Sequence, residues 1–182
     1  QREALNLNRI RKAGEKASEL VNQILKFTRL DSEIYKVNLG KLIDDVLSIL
    51  EVITPRGIEI ICHKSEQDIF IEGSSVKYQQ VLMNLLINGI HALEYSGTLK
   101  VSVGKEGDAF VKIEVEDTGP GIDEDSMNRM FDPLYTTKET GKGTGLGLFV
   151  VKHIVESYNG RIEVDSEEGK GTVFRVFLPV SQ

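Results

Sequence analysis

Apolar residues in the first thirty positions recur at intervals of three and four, which predicts one long helix with a narrow apolar seam. The seam consists of Ile10, Ala13, Ala17, Leu20, Ile24 and Phe27. Such a helix cannot bury its seam alone, so it needs a partner helix from this chain or a second copy, or it packs onto its own domain. Residues 31–36 interrupt the pattern and are predicted to form a linker to a second domain over residues 37–182.

The rest of the chain alternates between strand-like and helical patterns. Strands are predicted at residues 35–39, 58–64, 69–72, 98–103, 110–116, 161–164 and 172–178. Segments 58–64 and 69–72 are expected to be neighbouring strands, and 98–103 and 110–116 to form a hairpin with one wet face. Three helices are interspersed: one capped by Asn38, one from Ser74 or Ser75 to about residue 95, and one ending at Tyr158. This order predicts an α+β fold, a two-layer sandwich with helices on one face of a mixed sheet.

The first of these helices has a well-defined apolar face. Its predicted members are Leu42, Ile43, Val46, Leu47, Leu50 and Ile53. Pro55 and Gly57 are expected to end the helix.

Composition narrows the classes of partner. With 22 basic and 28 acidic residues, the chain carries a net charge of −6, which disfavours nucleic acid and anionic membranes as partners. A single cysteine, Cys62, excludes a disulfide framework within the chain and is compatible with the cytoplasm. No apolar run is long enough to span a membrane. Because the sequence begins with Gln1, we expect it to be a piece of a longer protein.

A polar slit on the second predicted helix is the first candidate for chemistry. Asn84, Asn88, His91 and Gln80 share one side of the helical wheel, and leucines occupy the other. A buried amide without a partner costs about 1–3 kcal/mol, so these side chains either line a covered cleft or face bulk water.

Asp117 follows an alternating strand and is the second candidate. It precedes Gly119, Gly121 and Ile122, and glycines let a backbone approach a flat ligand closely. The segment alone is also compatible with a plain turn or with the Asp-Thr-Gly signature of aspartic proteases. Three long helices and the absence of flap-like hairpins argue against a protease.

A glycine-rich segment over residues 141–148 runs directly into the third predicted helix. Its backbone N–H groups and the helix N-terminus could bind an anion. The glycine spacing fits neither a Walker A loop nor a dinucleotide-binding fingerprint. About twenty residues without regular pattern precede it and include Phe131, Tyr135 and Lys138. They are expected to form a lid, the alternative being a disordered surface loop.

Together these segments resemble the ATP-binding catalytic domain of sensor histidine kinases, in the order and at the distances of that family. The N box matches residues 84–89, the glycine boxes match 117–121, 143–148 and 169–172, and the F box matches 131–134. The resemblance implies a Bergerat-type α/β sandwich that binds Mg-ATP. Thr136-Thr137-Lys138 resembles the nitrogen-regulation subtype, and residues 1–30 resemble the second helix of the family's dimerisation and phosphotransfer hairpin.

By position in these motifs, the resemblance implies roles for individual residues. Asn88 would ligate Mg²⁺, Asn84 would line the phosphate channel, and Asp117 would accept the adenine amino hydrogen. Lys138 would neutralise phosphate charge, and His91 stands where the family often has a phosphate-contacting lysine. Asn84, Asn88 and Lys138 are thus the predicted catalytic residues. The remaining predicted nucleotide contacts are Gly119, Gly121, Ile122, Gly143, Thr144, Gly145, Leu146, Gly147, Leu148 and Thr172.

The resemblance also implies partners and leaves alternatives open. A response-regulator receiver domain would accept the phosphoryl group, and the N-terminal helix would form a homodimer in the longer protein. None of His63, His91 and His153 lies on that helix, so the fragment is expected to bind ATP without phosphorylating itself. Related ATPases (gyrase B, MutL and heat-shock chaperones) have a glutamate where this chain has Asn84, which favours a kinase. A non-catalytic nucleotide-sensing module remains the third possibility.

Overall fold

The computed structural model describes residues 34–138 and 144–181. The helices in this part of the chain are α1 (Leu39–Glu51), α2 (Ser75–Leu93), α3 (Glu124–Arg129) and α4 (Gly147–Ser157). Its strands are β1 (Tyr35–Asn38), β2 (Gly57–Lys64), β3 (Phe70–Gly73), β4 (Ser96–Glu106), β5 (Phe110–Asp117), β6 (Arg161–Glu167) and β7 (Gly171–Pro179). The predicted N-terminal helix and most of the predicted linker lie outside the described residues, so that division stays a prediction.

The main sheet is mixed and has five strands in the order β2-β4-β5-β7-β6. Strands β2 and β4 are parallel, and the other neighbours are antiparallel, including the predicted hairpin of β4 and β5. The expectation that residues 58–64 and 69–72 form neighbouring strands is wrong, because β3 pairs with β1 in a separate two-stranded sheet. The chain between β2 and β4 includes α2, and this crossover allows β2 to join β4 in parallel.

Alternation along β5 separates the two faces of the main sheet. Val111, Ile113 and Val115 are buried beneath the helices, whereas Lys112 and Glu114 lie on the opposite face. Helix α2 packs on β4 and β5, and α4 packs on β6, β7 and α2. One face is therefore covered and the other carries ion pairs, which confirms the predicted two-layer sandwich.

Helix α1 begins as predicted, with the Asn38 side chain accepting a hydrogen bond of 3.0 Å from Lys41 N. Four members of the predicted apolar face are buried: Leu42, Ile43, Val46 and Leu50. The expectation that Ile53 belongs to this face is wrong, since its side chain is 58% exposed. The helix ends at Glu51, so Ile53 no longer follows the helical period.

Helix α3 was not expected from the sequence, where its segment showed no regular pattern. The Asp123 side chain caps it by accepting a 2.8 Å hydrogen bond from Ser126 N, and Glu124 and Asp125 occupy its first turn. A helix of six residues is too short to establish an apolar period, so capping chemistry was its only sequence signal. Within the described part of the chain, no helix combines the length with the apolar character that crossing a bilayer requires.

Candidate functional site

Two side-chain amides on α2 face the beginning of α4. Asn84 and Asn88 lie one helical turn apart, and both are partly buried. A Cβ atom built on Gly147, the first residue of α4, would lie 3.6 Å from Asn84 Oδ1 and 3.9 Å from Asn88 Nδ2. The structure thus brings the two asparagines of the predicted polar slit against a helix N-terminus, where unpaired backbone N–H groups attract anions.

The carboxyl group of Asp117 lies at the end of β5 and is only 5% exposed. Its Oδ1 atom accepts a hydrogen bond of 2.9 Å from Gly119 N. Burial raises the pKa of this carboxyl, and backbone N–H groups of Gly119 and Thr172 partly oppose the increase. Asp117 can therefore act as a fixed hydrogen-bond acceptor in a site poor in water.

Helix α2 approaches the Asp117 strand closely because position 89 lacks a side chain. A Cβ atom on Gly89 would lie 2.5 Å from Leu99 Cδ1 and 3.7 Å from Asp117 Cβ. A Cβ atom on Gly119 would lie 3.1 Å from Ala92 Cβ, one turn further along α2. From the sequence, Gly89 is only a helix-weakening residue worth about 1 kcal/mol. In the structure it also makes room for Leu99 beneath the helix.

Thr172 and Ile122 are linked by Ser166, a residue that the sequence analysis missed. Thr172 is 4% exposed and lies opposite Asp117 in the register of β5 and β7. Ser166 Oγ accepts from Ile122 N at 2.8 Å, donates to Gly171 O at 2.9 Å, and lies 3.0 Å from Thr172 Oγ1. The period of two that puts Ile162 and Val164 on the inner face of β6 also puts Ser166 there, so this hydroxyl could have been found.

The described ends of the predicted lid are joined to each other. Leu134 N donates to Gly145 O at 3.0 Å, and Gly145 adopts a φ of +67°. A Cβ atom on Gly145 would collide with the carbonyl group of Leu134, so glycine is required here. Thr144 Oγ1 lies 3.4 Å from Leu146 N, which precedes α4, and Leu148 lies within α4. Gly143 is outside the described residues.

Gly121 lies against the turn between β6 and β7, away from the side-chain amides of Asn84 and Asn88. Its φ is +76°, and a Cβ atom there would collide with the carbonyl group of Glu167. Gly169 N donates to Pro120 O at 2.7 Å, which ties the same two segments together. The first and last glycine-rich segments of the sequence therefore meet beside Asp117.

His91 and Lys138 contact each other. Lys138 Nζ lies 2.9 Å from His91 Nδ1. Loss of hydration lowers the pKa of His91, and the neighbouring ammonium lowers it further; loss of hydration also lowers the pKa of Lys138. The two predicted phosphate contacts thus form a pair that joins the lid to α2.

The side chains of the candidate site could contribute a ligand to a bound cation, but they could not form a complete metal site. Among the described residues, no group of three or more acidic, histidine or cysteine side chains could hold a metal ion. The neutral amide oxygen of Asn88 can serve as one ligand of a hard cation whose other ligands are phosphate oxygens and water. The residues fit Mg²⁺ in that role and would not hold it alone.

Two cavities lie away from the contacts of Asp117. One of about 300 Å³ is lined by residues from Asn38 to Ile69 and by Val103. The other, of about 560 Å³, lies on the flank of α2 and shares His91 with the candidate site. The volume of a cavity therefore does not identify the functional site. The polar groups that converge around α2, Asp117 and the start of α4 do.

Comparisons with known proteins agree with this arrangement. Residues 73–182 match the family of histidine kinase-, DNA gyrase B-, and HSP90-like ATPases. The chain is 38% identical over 181 residues to the sensor histidine kinase ZraS of Escherichia coli K12, covering 99% of this chain and 36% of that protein. It is 39% identical over 144 residues to sporulation kinase A of Bacillus subtilis, covering 79% of this chain and 23% of that protein. The chain thus spans about a third or less of these relatives.

Solved structures show the same fold. The catalytic domain of the histidine kinase ThkA superposes with a TM-score of 0.73 at 31% identity, covering 81% of this chain and 95% of that one. Full-length ShkA, solved in complex with AMPPNP, gives a TM-score of 0.75 at 27% identity over 96% of this chain and 38% of that chain. The predicted sensor-kinase resemblance and fold are confirmed, whereas the nitrogen-regulation subtype stays a prediction. The chain belongs to the family of histidine kinase-, DNA gyrase B- and HSP90-like ATPases, as an ATP-binding domain of the sensor histidine kinase type.

Proposed function

We propose that this chain binds Mg-ATP between α2 and the lid and transfers the γ-phosphoryl group to a histidine on an acceptor helix. The observation that carries the proposal is that α2 contacts both halves of the candidate site. Its amides Asn84 and Asn88 face the N-terminus of α4, and Gly89 lies against Asp117. A nucleotide has the same two-ended chemistry, with a flat base at one end and a charged triphosphate at the other.

The base would bind at the Asp117 end. The buried carboxylate accepts hydrogen bonds and suits the exocyclic amino group of adenine. Gly119, Gly121 and Ile122 would pass close to the ring, and Thr172 would support the base together with Ser166. The hydrogen bonds from Gly119 N to Asp117 and from Ile122 N to Ser166 already fix the positions of these groups.

The triphosphate would bind at the α4 end. Backbone N–H groups over residues 143–148 and the ammonium of Lys138 would bind its oxygens, and Asn84 would line the channel. Asn88 would contribute its amide oxygen to Mg²⁺, which neutralises phosphate charge when bound.

The chemistry favours phosphoryl transfer over hydrolysis. A nitrogen of the acceptor imidazole would form a bond to the γ-phosphorus while the bond from phosphorus to the β–γ bridging oxygen breaks and ADP leaves. This attack uses a lone pair that the imidazole already has, so positioning and charge neutralisation suffice. Hydrolysis instead benefits from a base that removes a proton from water, and the amide of Asn84 cannot serve as that base.

The proposed reaction also requires an acceptor and a cellular compartment that supplies ATP. The acceptor histidine would lie on a partner helix or domain, and a response-regulator aspartate would receive the phosphoryl group afterwards. The seam of residues 1–30 would support a homodimer of the longer protein, and the reaction would take place in the cytoplasm, where ATP is available.

The test is to mix the fragment with Mg-ATP labelled at the γ-phosphate and a separately made acceptor-helix domain. We expect label on the acceptor that is stable to base and labile to acid, and its loss in Asn88→Ala. Gln79→Ala is the matched control, because Gln79 is a partly buried amide on the same helix and lies outside the polar slit. Steady release of phosphate without acceptor would overturn the kinase in favour of an ATPase. ATP binding with neither product would leave a nucleotide-sensing module.

A further inference from the structure

Lys138 differs from other lysines of the domain in the partner it has. Lys64 pairs with Asp44, and Lys100 pairs with Glu116. Lys138 is partly buried, yet no described carboxylate lies within 4.0 Å of its ammonium, and its hydrogen-bond partner is His91 Nδ1 at 2.9 Å. Among the described residues, no carboxylate therefore competes with an incoming anion for this ammonium.

The chemistry of the pair fixes the state of His91. An ammonium group only donates hydrogen bonds, so Nδ1 must be the unprotonated acceptor and the ring proton must lie on Nε2. The lowered pKa of His91 agrees with a neutral ring at physiological pH. A lysine at position 91 would instead place two ammonium groups side by side.

One member of the pair, His91, lies on the same helix as the side-chain amides of Asn84 and Asn88. His91 follows Asn88 by three residues on α2, so the two side chains lie on neighbouring parts of one helix face. Lys138 comes from the lid and reaches across to this face. The hydrogen bond thus holds the lid ammonium against α2 within one helical turn of Asn88 in sequence, at the end of the site where the triphosphate would bind.

We propose that His91 is a positioning residue that holds Lys138, without neutralising it, in place for the phosphate groups of ATP. The inference rests on the proposed nucleotide site. An acidic residue could hold the lysine equally well, but phosphate would then have to displace a carboxylate from it. A neutral acceptor avoids that competition, and it also prevents the long lysine side chain from occupying many other rotamers.

Binding measurements on three variants test the role. His91→Leu removes the acceptor at similar size, and we expect Mg-ATP to bind about tenfold more weakly. His91→Gln keeps an acceptor oxygen and should restore affinity to within about threefold of the original protein. Adding Lys138→Met to His91→Leu should cause less further loss than Lys138→Met causes alone, since the two residues act as one unit. Glu94→Gln, also on the flank of α2, is the control expected to leave affinity unchanged.

A spectroscopic measurement on the unaltered fragment is independent of any variant's folding. Long-range ¹H–¹⁵N correlation of the His91 ring should show an unprotonated Nδ1 and a protonated Nε2 before nucleotide is added. A protonated Nδ1, or a His91→Leu variant that folds and binds ATP as tightly as the original or more tightly, would overturn the positioning role. If the original fragment binds ATP normally in that case, the proposed function survives; if it does not bind ATP at all, the proposed function itself fails.

Discussion

Gly89 and Asp117 lie against each other across the boundary between the helical layer and the sheet, with 3.7 Å between a Cβ atom built on Gly89 and the Cβ of Asp117. The residue before Gly89 is Asn88, one of the two amides that face α4. This close packing fixes the distance between the acid that would bind the base and the amide that would bind the metal. The consequences can be tested one at a time.

Replacing Asp117 by Asn should weaken ATP binding without unfolding the domain. The new side chain keeps an oxygen for Gly119 N but presents an amino group to the amino group of adenine. Loss of a buried hydrogen bond costs about 1–3 kcal/mol, which corresponds to roughly 5- to 150-fold in affinity. Isothermal titration calorimetry with Mg-ATP measures this loss.

The matched control for that variant is Glu116→Gln. Glu116 precedes Asp117 on the same strand, points to the opposite face of the sheet and pairs there with Lys100. Its replacement should leave ATP affinity unchanged. Equal losses in both variants would mean that charge in general, and not the Asp117 contact, controls binding.

The same Asp117→Asn variant should show by how much the buried carboxylate lowers the free energy of unfolding. Burial raises the pKa of Asp117 above its ordinary value of 3.8, so the unfolded chain releases this proton at lower pH than the folded chain. The contribution of Asp117 to the free energy of unfolding therefore falls as pH rises from the ordinary value through the raised one. Urea unfolding at pH 4 and pH 7 should show the variant gaining stability relative to the original protein at the higher pH. A difference that is constant with pH, or that shrinks, would contradict the buried carboxylate.

Removal of the Asn88 amide should change the response to metal more than the response to nucleotide alone. We expect Asn88→Ala to lower phosphotransfer by roughly 100-fold, since one preorganised ligand of the Mg²⁺ that would neutralise the phosphates is lost. Affinity for ATP in excess EDTA should match that of the original protein, because the amide acts through Mg²⁺. Titrations with and without Mg²⁺ check this, and a variant that loses affinity equally under both conditions would show that Asn88 contacts the nucleotide directly.

Gly169, in the turn between β6 and β7, and Gly171, at the start of β7, provide a matched pair. Gly169 and Gly171 have φ values of +81° and +115°, but a Cβ atom on Gly169 has nothing within 4 Å, whereas one on Gly171 would collide with the carbonyl group of Asp117. Gly169→Ala should cost about 1–2 kcal/mol of unfolding free energy from backbone strain and leave ATP affinity within about twofold. Gly171→Ala should lower both quantities further, because the end of β5 must move. Similar behaviour of the two variants in thermal unfolding and ATP titration would contradict this role of Gly171.

Local periodicity predicted most of the fold, and pairing over long distances was what it could not supply. The alternation of β5 and the apolar face of α1 follow from the side-chain period alone, and the buried residues Ile113 and Val46 illustrate this. The pairing of β3 with β1 instead joins two strands that α1 and β2 separate along the chain, and it leaves the place beside β2 in the main sheet to β4. No pattern within residues 58–72 contains that information.

Residues of the candidate site were predictable from the sequence where a polar side chain is unusual in its surroundings. Asn84 and Asn88 stand out on a helix rich in leucine, and Asp117 stands out before two glycines. The hydrogen bond between His91 and Lys138 spans 47 residues of sequence, so the two were predicted as separate phosphate contacts. The period of β6 could have placed the Ser166 hydroxyl on the inner face, but it could not have identified its partners, which are backbone groups of Ile122 and Gly171.

The central claim is that the Asp117 end and the Asn84–Asn88 end of the site bind one nucleotide. Its most direct test is a titration of the ¹⁵N-labelled fragment with Mg²⁺ and a non-hydrolysable ATP analogue, followed through its amide resonances. We expect the largest shifts at the side-chain amides of Asn84 and Asn88 and at the backbone amides of Gly119 and Thr172, all in one titration step. Unchanged resonances at these four residues, with shifts confined to the cavity beside Asn38, would contradict it.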